Sequence, residues 1–245
     1  MKLAISGTYS SGKTMTVMAL SHLTGVPRTL ARSIREILPT AVPGKALADV
    51  TPAEYLQLAM RRHVGRAVDE ALLGNEFISD GSSLQEWIYG TVRVRYGMNP
   101  SVTSDLAEIP EHERTAEMRF FEAVVSQFGH AFRQHVKGTF DAFVHLKNEF
   151  RISDDGHRPM NEGFRSSCDR TLLETLDELR IPYHTVSGDL PERLARIVEI
   201  HRLPVVTDVD TAIALGAKEY ALIDKRLETA RTPVAAASTA RRHDR

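Results

Sequence analysis

The chain of 245 residues contains one cysteine, Cys168, which excludes an intramolecular disulfide framework and suits a reducing cytoplasm. Long hydrophobic runs are lacking: none approaches the ~20 residues needed to span a bilayer, so no membrane partner is expected. The N-terminus passes directly into a strand pattern, and no room for a signal peptide is expected there. Charge of either sign is not in excess. With 31 Lys and Arg against 32 Asp and Glu, the formal net charge of -1 gives no electrostatic reason to expect nucleic acid as partner. The ten histidines follow no metal-ligand spacing, so structural zinc is not expected. No internal repeat occurs, no linker separates two cores, and no feature marks an oligomeric state. A hydrophobic content of 42% with 26% charged residues is ordinary for a soluble globular protein. The length suits one large α/β domain with an appended helical piece.

What is present begins at residues 7–14, Gly-Thr-Tyr-Ser-Ser-Gly-Lys-Thr, which match G-x-x-x-x-G-K-[ST] without exception. Lys2–Ser6 before them read as a short buried strand, and Lys13 onwards can continue as a helix, the setting a phosphate-binding loop requires. Gly7 and Gly12 permit backbone angles that a side chain would block. The backbone of Gly7, Thr8, Tyr9, Ser10, Ser11 and Gly12 can then wrap a nucleotide's phosphates at the positive end of the helix. Lys13 is expected to reach the β/γ-phosphates and Thr14 to hold Mg²⁺, so ATP and Mg²⁺ are the implied ligands. The side chains of Ser10 and Ser11 are not needed for this, since the loop works through its backbone.

Along the rest of the chain, strands are expected at 28–30, 76–80, 141–146 and 182–187, alternating with helices at 31–38, 52–73, 82–96, 113–136, 164–179 and 190–200. Thr51, Pro52 and Glu54 form a helix opening of cap, first position and box partner. This alternation indicates a three-layer α/β fold, a parallel sheet with helices on both faces, whose ligands bind at the carboxyl ends of the strands. The domain is expected to cover 1–202, with an appended helical segment at 203–230 and a frayed tail at 231–245.

Asp80 stands where its strand should end, beside the phosphate loop in space. It can organise Mg²⁺ or accept a proton from an attacking hydroxyl; the alternative is a cap for the helix beginning near Ser82. Residues 151–165, broken by Gly156, Pro159 and Gly163, read as a lid. There Arg158 and Arg165 can close on the transferring phosphoryl group, although a solvated loop has the same composition. Arg32 and Arg35 follow the expected second strand within reach of an acceptor, or simply face solvent. Arg93 and Arg95 point to different faces of their helix, so at most one meets a ligand.

With these residues located, the layout resembles the P-loop nucleoside and nucleotide kinases, in particular the AAA-like kinase group that includes the nicotinamide riboside kinase domain. The resemblance covers about residues 1–200. It rests on Gly7–Thr14, on Phe77-Ile-Ser-Asp80, on Asp155-Gly-His-Arg158 with Arg165, and on Tyr183-His-Thr-Val-Ser-Gly188 leading into Pro191-Glu-Arg-Leu194. It implies an ATP-dependent phosphotransferase acting on a nucleoside-like or nucleotide acceptor. One departure is Gly81, where nucleoside monophosphate kinases often carry Arg after the strand-end Asp. The Asn-Lys-x-Asp base-reading motif of regulatory GTPases is absent. A nucleotide-dependent switch acting on a protein partner is the alternative function, and the expected lid favours the kinase.

Overall fold

The computed structural model describes residues 1–30, 32–97, 107–152 and 161–223. Four parallel strands form one sheet in the order β2-β1-β3-β4, with β1 at Lys2–Ser6, β2 at Phe77–Asp80, β3 at Ala142–Leu146 and β4 at Tyr183–Val186. Register is set by pairs such as Ile5 with Asp80, Ser6 with His145 and Leu146 with Val186. Strand parity assigns the two faces. Leu3, Ile5, Ile78, Val144 and Leu146 pack on α1 (Lys13–Thr24) and α7 (Leu190–His201). Ala4, Phe77 and Phe143 face the opposite way, onto α4 (Ser83–Tyr96), α5 (Ala116–Thr139) and α6 (Glu162–Leu179). Both faces are therefore covered, as an all-parallel sheet requires, and the expected three-layer α/β fold is the observed one.

A third core cluster lies to one side, where α2 (Ile34–Ala41) and α3 (Pro52–Leu73) bury Leu38, Val42, Tyr55 and Leu58 against Val94, Phe121 and Val125. α3 opens with the expected capping box: Thr51 Oγ1 accepts from Glu54 N, and Glu54 Oε2 accepts from Thr51 N at 2.8 Å. α8 (Val209–Ala221), on the far side of α1, inserts Ala212 into the core and directs Glu219 to both His22 and Arg28.

Three elements differ from expectation. The strand at 28–30 is a single bridge from Arg28 to Ile78. Pro27 has no N–H to donate, and the Leu30 N–H is taken by the Asp69 carboxylate, so the ladder cannot extend. The helix expected at 31–38 starts at Ile34, because Ser33 and Glu36 form a capping box, and it carries Pro39 within its last turn. The helix expected from Glu113 starts at Ala116, since Thr115 Oγ1 accepts from Met118 N and fixes the start there.

Candidate functional site

The phosphate loop bridges the end of β1 and the start of α1. Gly7 has φ 144° and Gly12 φ 86°, and between them Ser10 also adopts a positive φ of 58°. A Cβ on Gly7 would lie 2.6 Å from Ser11 Oγ and 3.1 Å from the Leu146 carbonyl, so only glycine fits. Ser11 Oγ donates to the Thr8 carbonyl at 2.9 Å, a bond inside the loop that gives this side chain a part in its shape. That differs from the expectation of a purely backbone device. Lys13 Nζ also donates to the Thr8 carbonyl, at 2.9 Å, so the lysine folds back along the loop it follows.

Asp80 ends β2 one strand away. Thr14 Oγ1 donates to its Oδ2 at 2.6 Å, joining the loop to the strand end directly. The cap of α4 is Ser82, whose Oγ accepts from Leu84 N while Gln85 closes the box, so Asp80 does not fill that position. Hydroxyl and carboxylate oxygens at one point are the hard donor set that suits Mg²⁺. Glycines wrapped around a lysine at a helix start suit phosphate oxygens. The residues present therefore fit both implied groups.

Beneath the loop lies a buried polar cluster. Thr8 Oγ1 donates to Asn148 Oδ1 at 3.0 Å and lies 3.4 Å from Asp169 Oδ2, and Asn148 Nδ2 donates to the same carboxylate. His145, on β3, pairs through Nδ1 with Ser6 Oγ at 3.3 Å and places Nε2 3.7 Å from Asp169 Oδ1. Burial, helped by the Lys13 charge, lowers the His145 pKa to about 4. Burial raises that of Asp169 to about 6, opposed by its Thr8 hydrogen bond and by Lys13 and Arg165. On the other flank Arg193, 2% exposed, donates from Nη1 to the Ser11 carbonyl at 2.6 Å and from Nη2 to Glu149 Oε2 at 3.0 Å. Its guanidinium also covers the Phe150 ring at 5.0 Å. The loop is thus tied to β3, α6 and α7 at once.

On the α3–α4 side, Arg62 Nε donates to Glu86 Oε1 at 2.9 Å, and its Nη1 donates to the Arg32 carbonyl. Arg32, placed by sequence near an acceptor, lies in the coil before α2 and lines a cleft of ≈ 240 Å³ with Arg61, Arg62 and Leu30. Arg35 lies in α2. Of the α4 arginines, Arg93 is the buried one: its guanidinium lies 4.6 Å from the Tyr55 ring centre and 5.8 Å from that of Phe164. Tyr9, from the phosphate loop, stacks on Tyr89 at 4.8 Å, which joins loop to α4. Burial raises the pKa of both Tyr9 and Tyr89, so both stay neutral. Arg165 is in the first turn of α6, 2% exposed, with Nη1 donating to the Phe150 carbonyl at 2.8 Å and with Nε and Nη2 lacking hydrogen-bond partners among the described residues. Arg158 and residues 153–160 of the expected lid lie outside the described residues.

Sequence reasoning overlooked Arg66, Gln85, Glu86, His145, Asn148, Asp169 and Arg193. A signal existed for some: Arg66 and Glu70 fall on the same side of α3 as Tyr55, Leu58 and Ala59, and charge inside an apolar stripe marks a buried polar task. For Asp169 no local pattern exists, because its partners are 21 residues or more away along the chain.

No curated protein matches this chain. Two solved structures are of a deoxyadenosine kinase from M. mycoides, both aligned over 91% of this chain and 100% of theirs. The form with the products dCMP and a flexible dCDP is 15% identical with a TM-score of 0.45, and the form with bound dCTP is 16% identical with a TM-score of 0.41. A family model described as AAA domain matches residues 2–193, which span β1 through Arg193 and so include every part of the site described above. The chain belongs to this AAA domain family.

Proposed function

We propose that this protein is an ATP-dependent small-molecule kinase that moves the γ-phosphoryl group to a nucleoside-like or nucleotide acceptor. The observation that carries the reading is the 2.6 Å bond from Thr14 Oγ1 to Asp80 Oδ2, which puts a strand-end carboxylate at the phosphate loop. In this reading the backbone of residues 7–12 and Lys13 hold the phosphates of ATP, and Thr14 with Asp80 hold Mg²⁺. Bound there, the metal would supply charge neutralisation for the phosphates. Asp80 has a second use where the acceptor is a hydroxyl: it takes the proton as the oxygen attacks phosphorus and ADP leaves. Arg165 supports an anion nearby, since two donors of a buried guanidinium have no acceptor among the described residues. Arg158 is assigned with it to closure over the nucleotide, and Arg32 and Arg35 to the acceptor side. Tyr9, stacked on Tyr89, holds the loop against α4.

The competing reading is an ATPase or GTPase switch driving a protein partner. ADP release with and without a panel of nucleosides and nucleotides separates the two. Stimulation by an acceptor, with the phosphorylated acceptor as product, supports the kinase. Release at one rate with and without acceptors, accompanied by inorganic phosphate, supports the switch.

A further inference from the structure

The outward side of α3 carries an apolar row that the described residues leave uncovered. Met60, Val64, Val68 and Leu72 stand four residues apart along one side of the helix and are between 37% and 81% exposed. The opposite side buries Tyr55, Leu58, Ala59, Arg66 and Glu70. Isolated surface hydrophobics are ordinary, but a contiguous set of them marks a contact surface. Beside this row runs a second of the same spacing, Arg61, Gly65 and Asp69. Gly65 lies in the interior of the helix, where glycine is less stable than alanine. A Cβ there would meet nothing within 4 Å among the described residues, so packing within the protomer gives no reason for the glycine.

We infer that this face binds a second copy of the chain, the two α3 helices packing antiparallel about a two-fold axis near Gly65. Two-fold contact requires a surface complementary to itself, and both rows meet that requirement. With the axis near residues 65–66, Met60 of one copy meets Leu72 of the other, and Val64 meets Val68. Arg61 of one copy then approaches Asp69 of the other on the same side of the apolar row, so a cation faces a carboxylate at both ends of the contact. At the axis itself Gly65 lets the two backbones come close, which accounts for a glycine that the protomer does not need. Rows of i, i+4 spacing interdigitate at a crossing angle of about −50°. A lipid surface fits this face less well, because helices that lie on a bilayer are flanked by basic residues, and here the flanking row holds one cation and one carboxylate. The inference stands apart from the kinase reading and uses none of the residues assigned to it.

Sedimentation equilibrium of the full chain across the micromolar range is the test. The wild type should sediment at twice the 27.3 kDa of one chain and dissociate on dilution. Val64→Glu combined with Val68→Glu crowds carboxylates from both copies at the contact and should give 27.3 kDa throughout. Its circular dichroism should match wild type, since both valines are half-exposed in the protomer. Gly65→Leu is a second, independent arm that decides the matter if the double variant does not fold. It puts a better helix former into open space, so the melting temperature of the dilute monomer should hold or rise. The dimer Kd should nonetheless weaken at least about tenfold, because the new side chain stands at the axis. A glycine that serves only the protomer's fold would instead move stability and leave that Kd unchanged. A wild-type mass of 27.3 kDa at every concentration, the result expected if another protein or the chain's own C-terminal residues cover the row, overturns the inference. A dimer whose Kd is the same in the wild type and in both variants overturns it as well.

Discussion

The phosphate-loop side and the α3–α4 side of the sheet are built by different means. The first is eight consecutive residues, Gly7–Thr14, whose shape follows from two glycines, a strand before and a helix after. The second draws Arg62 and Arg66 from α3 and Gln85, Glu86 and Arg93 from α4, and its geometry exists only once the two helices pack. A contiguous device keeps its form because local backbone angles dictate it. A dispersed one depends on side chains crossing between elements, so its specificity can change while the fold does not.

The largest expected break in this comparison is at Lys13. Lys13→Ala should reduce phosphoryl transfer by about a thousandfold, the scale of an electrostatic donor lost from a preorganised site. Circular dichroism and melting temperature should stay near wild type, because the hydrogen bond from Lys13 to the Thr8 carbonyl lies within the loop rather than between packed elements. A variant with wild-type turnover would remove the loop from the chemistry. Asp80→Asn comes next. It keeps the shape and a hydrogen-bonding oxygen for Thr14 but removes the charge, and single-turnover kinetics should show kcat reduced about a hundredfold with nucleotide affinity nearly kept. Retained activity would reduce Asp80 to a structural contact.

Arg193 sharpens the comparison, since it is a dispersed support for the contiguous loop. Arg193→Met removes the 2.6 Å bond to the Ser11 carbonyl and should raise the nucleotide Kd roughly thirtyfold, measured by titration calorimetry. An unchanged Kd would show that the loop holds its shape alone.

The smallest effects are slopes against pH. The depressed His145 pKa means that its neutral burial stabilises the fold above pH ~6.5, an advantage lost as pH falls towards 4. Asp169 has the opposite sign: its raised pKa favours the fold at low pH, and that contribution disappears as pH rises through about 6. In the wild type the two oppose each other between pH 4 and 6. His145→Asn should leave stability rising as the solution is acidified through this window, and Asp169→Asn should leave it falling, each by about 1–2 kcal/mol in urea titrations. Parallel profiles for the two variants would contradict the assignment.

How much was legible in the chain follows the same division. The phosphate loop, the α3 capping box and the layered sheet could be read from residues near one another. The strand at 28–30 was misread because its failure depends on Asp69 taking the Leu30 amide from another helix. Asp80 was legible as a strand end, but the choice between cap and site needed Ser82 to be seen capping α4. Arg193 stands inside Pro191-Glu-Arg-Leu194, yet its task depends on Ser11, 182 residues earlier. Local patterning carries the fold and the loop; tertiary packing carries the α3–α4 side and the supports beneath the loop.

The central claim is group transfer, and phosphorus NMR of a turnover mixture tests it most directly. With ATP, Mg²⁺ and a panel of nucleosides and their monophosphates, a new phosphorylated acceptor should grow in step with ADP. Without any acceptor, ADP should form far more slowly. ADP and inorganic phosphate appearing at equal rates with and without acceptors, and no new phosphoester signal, would contradict the account.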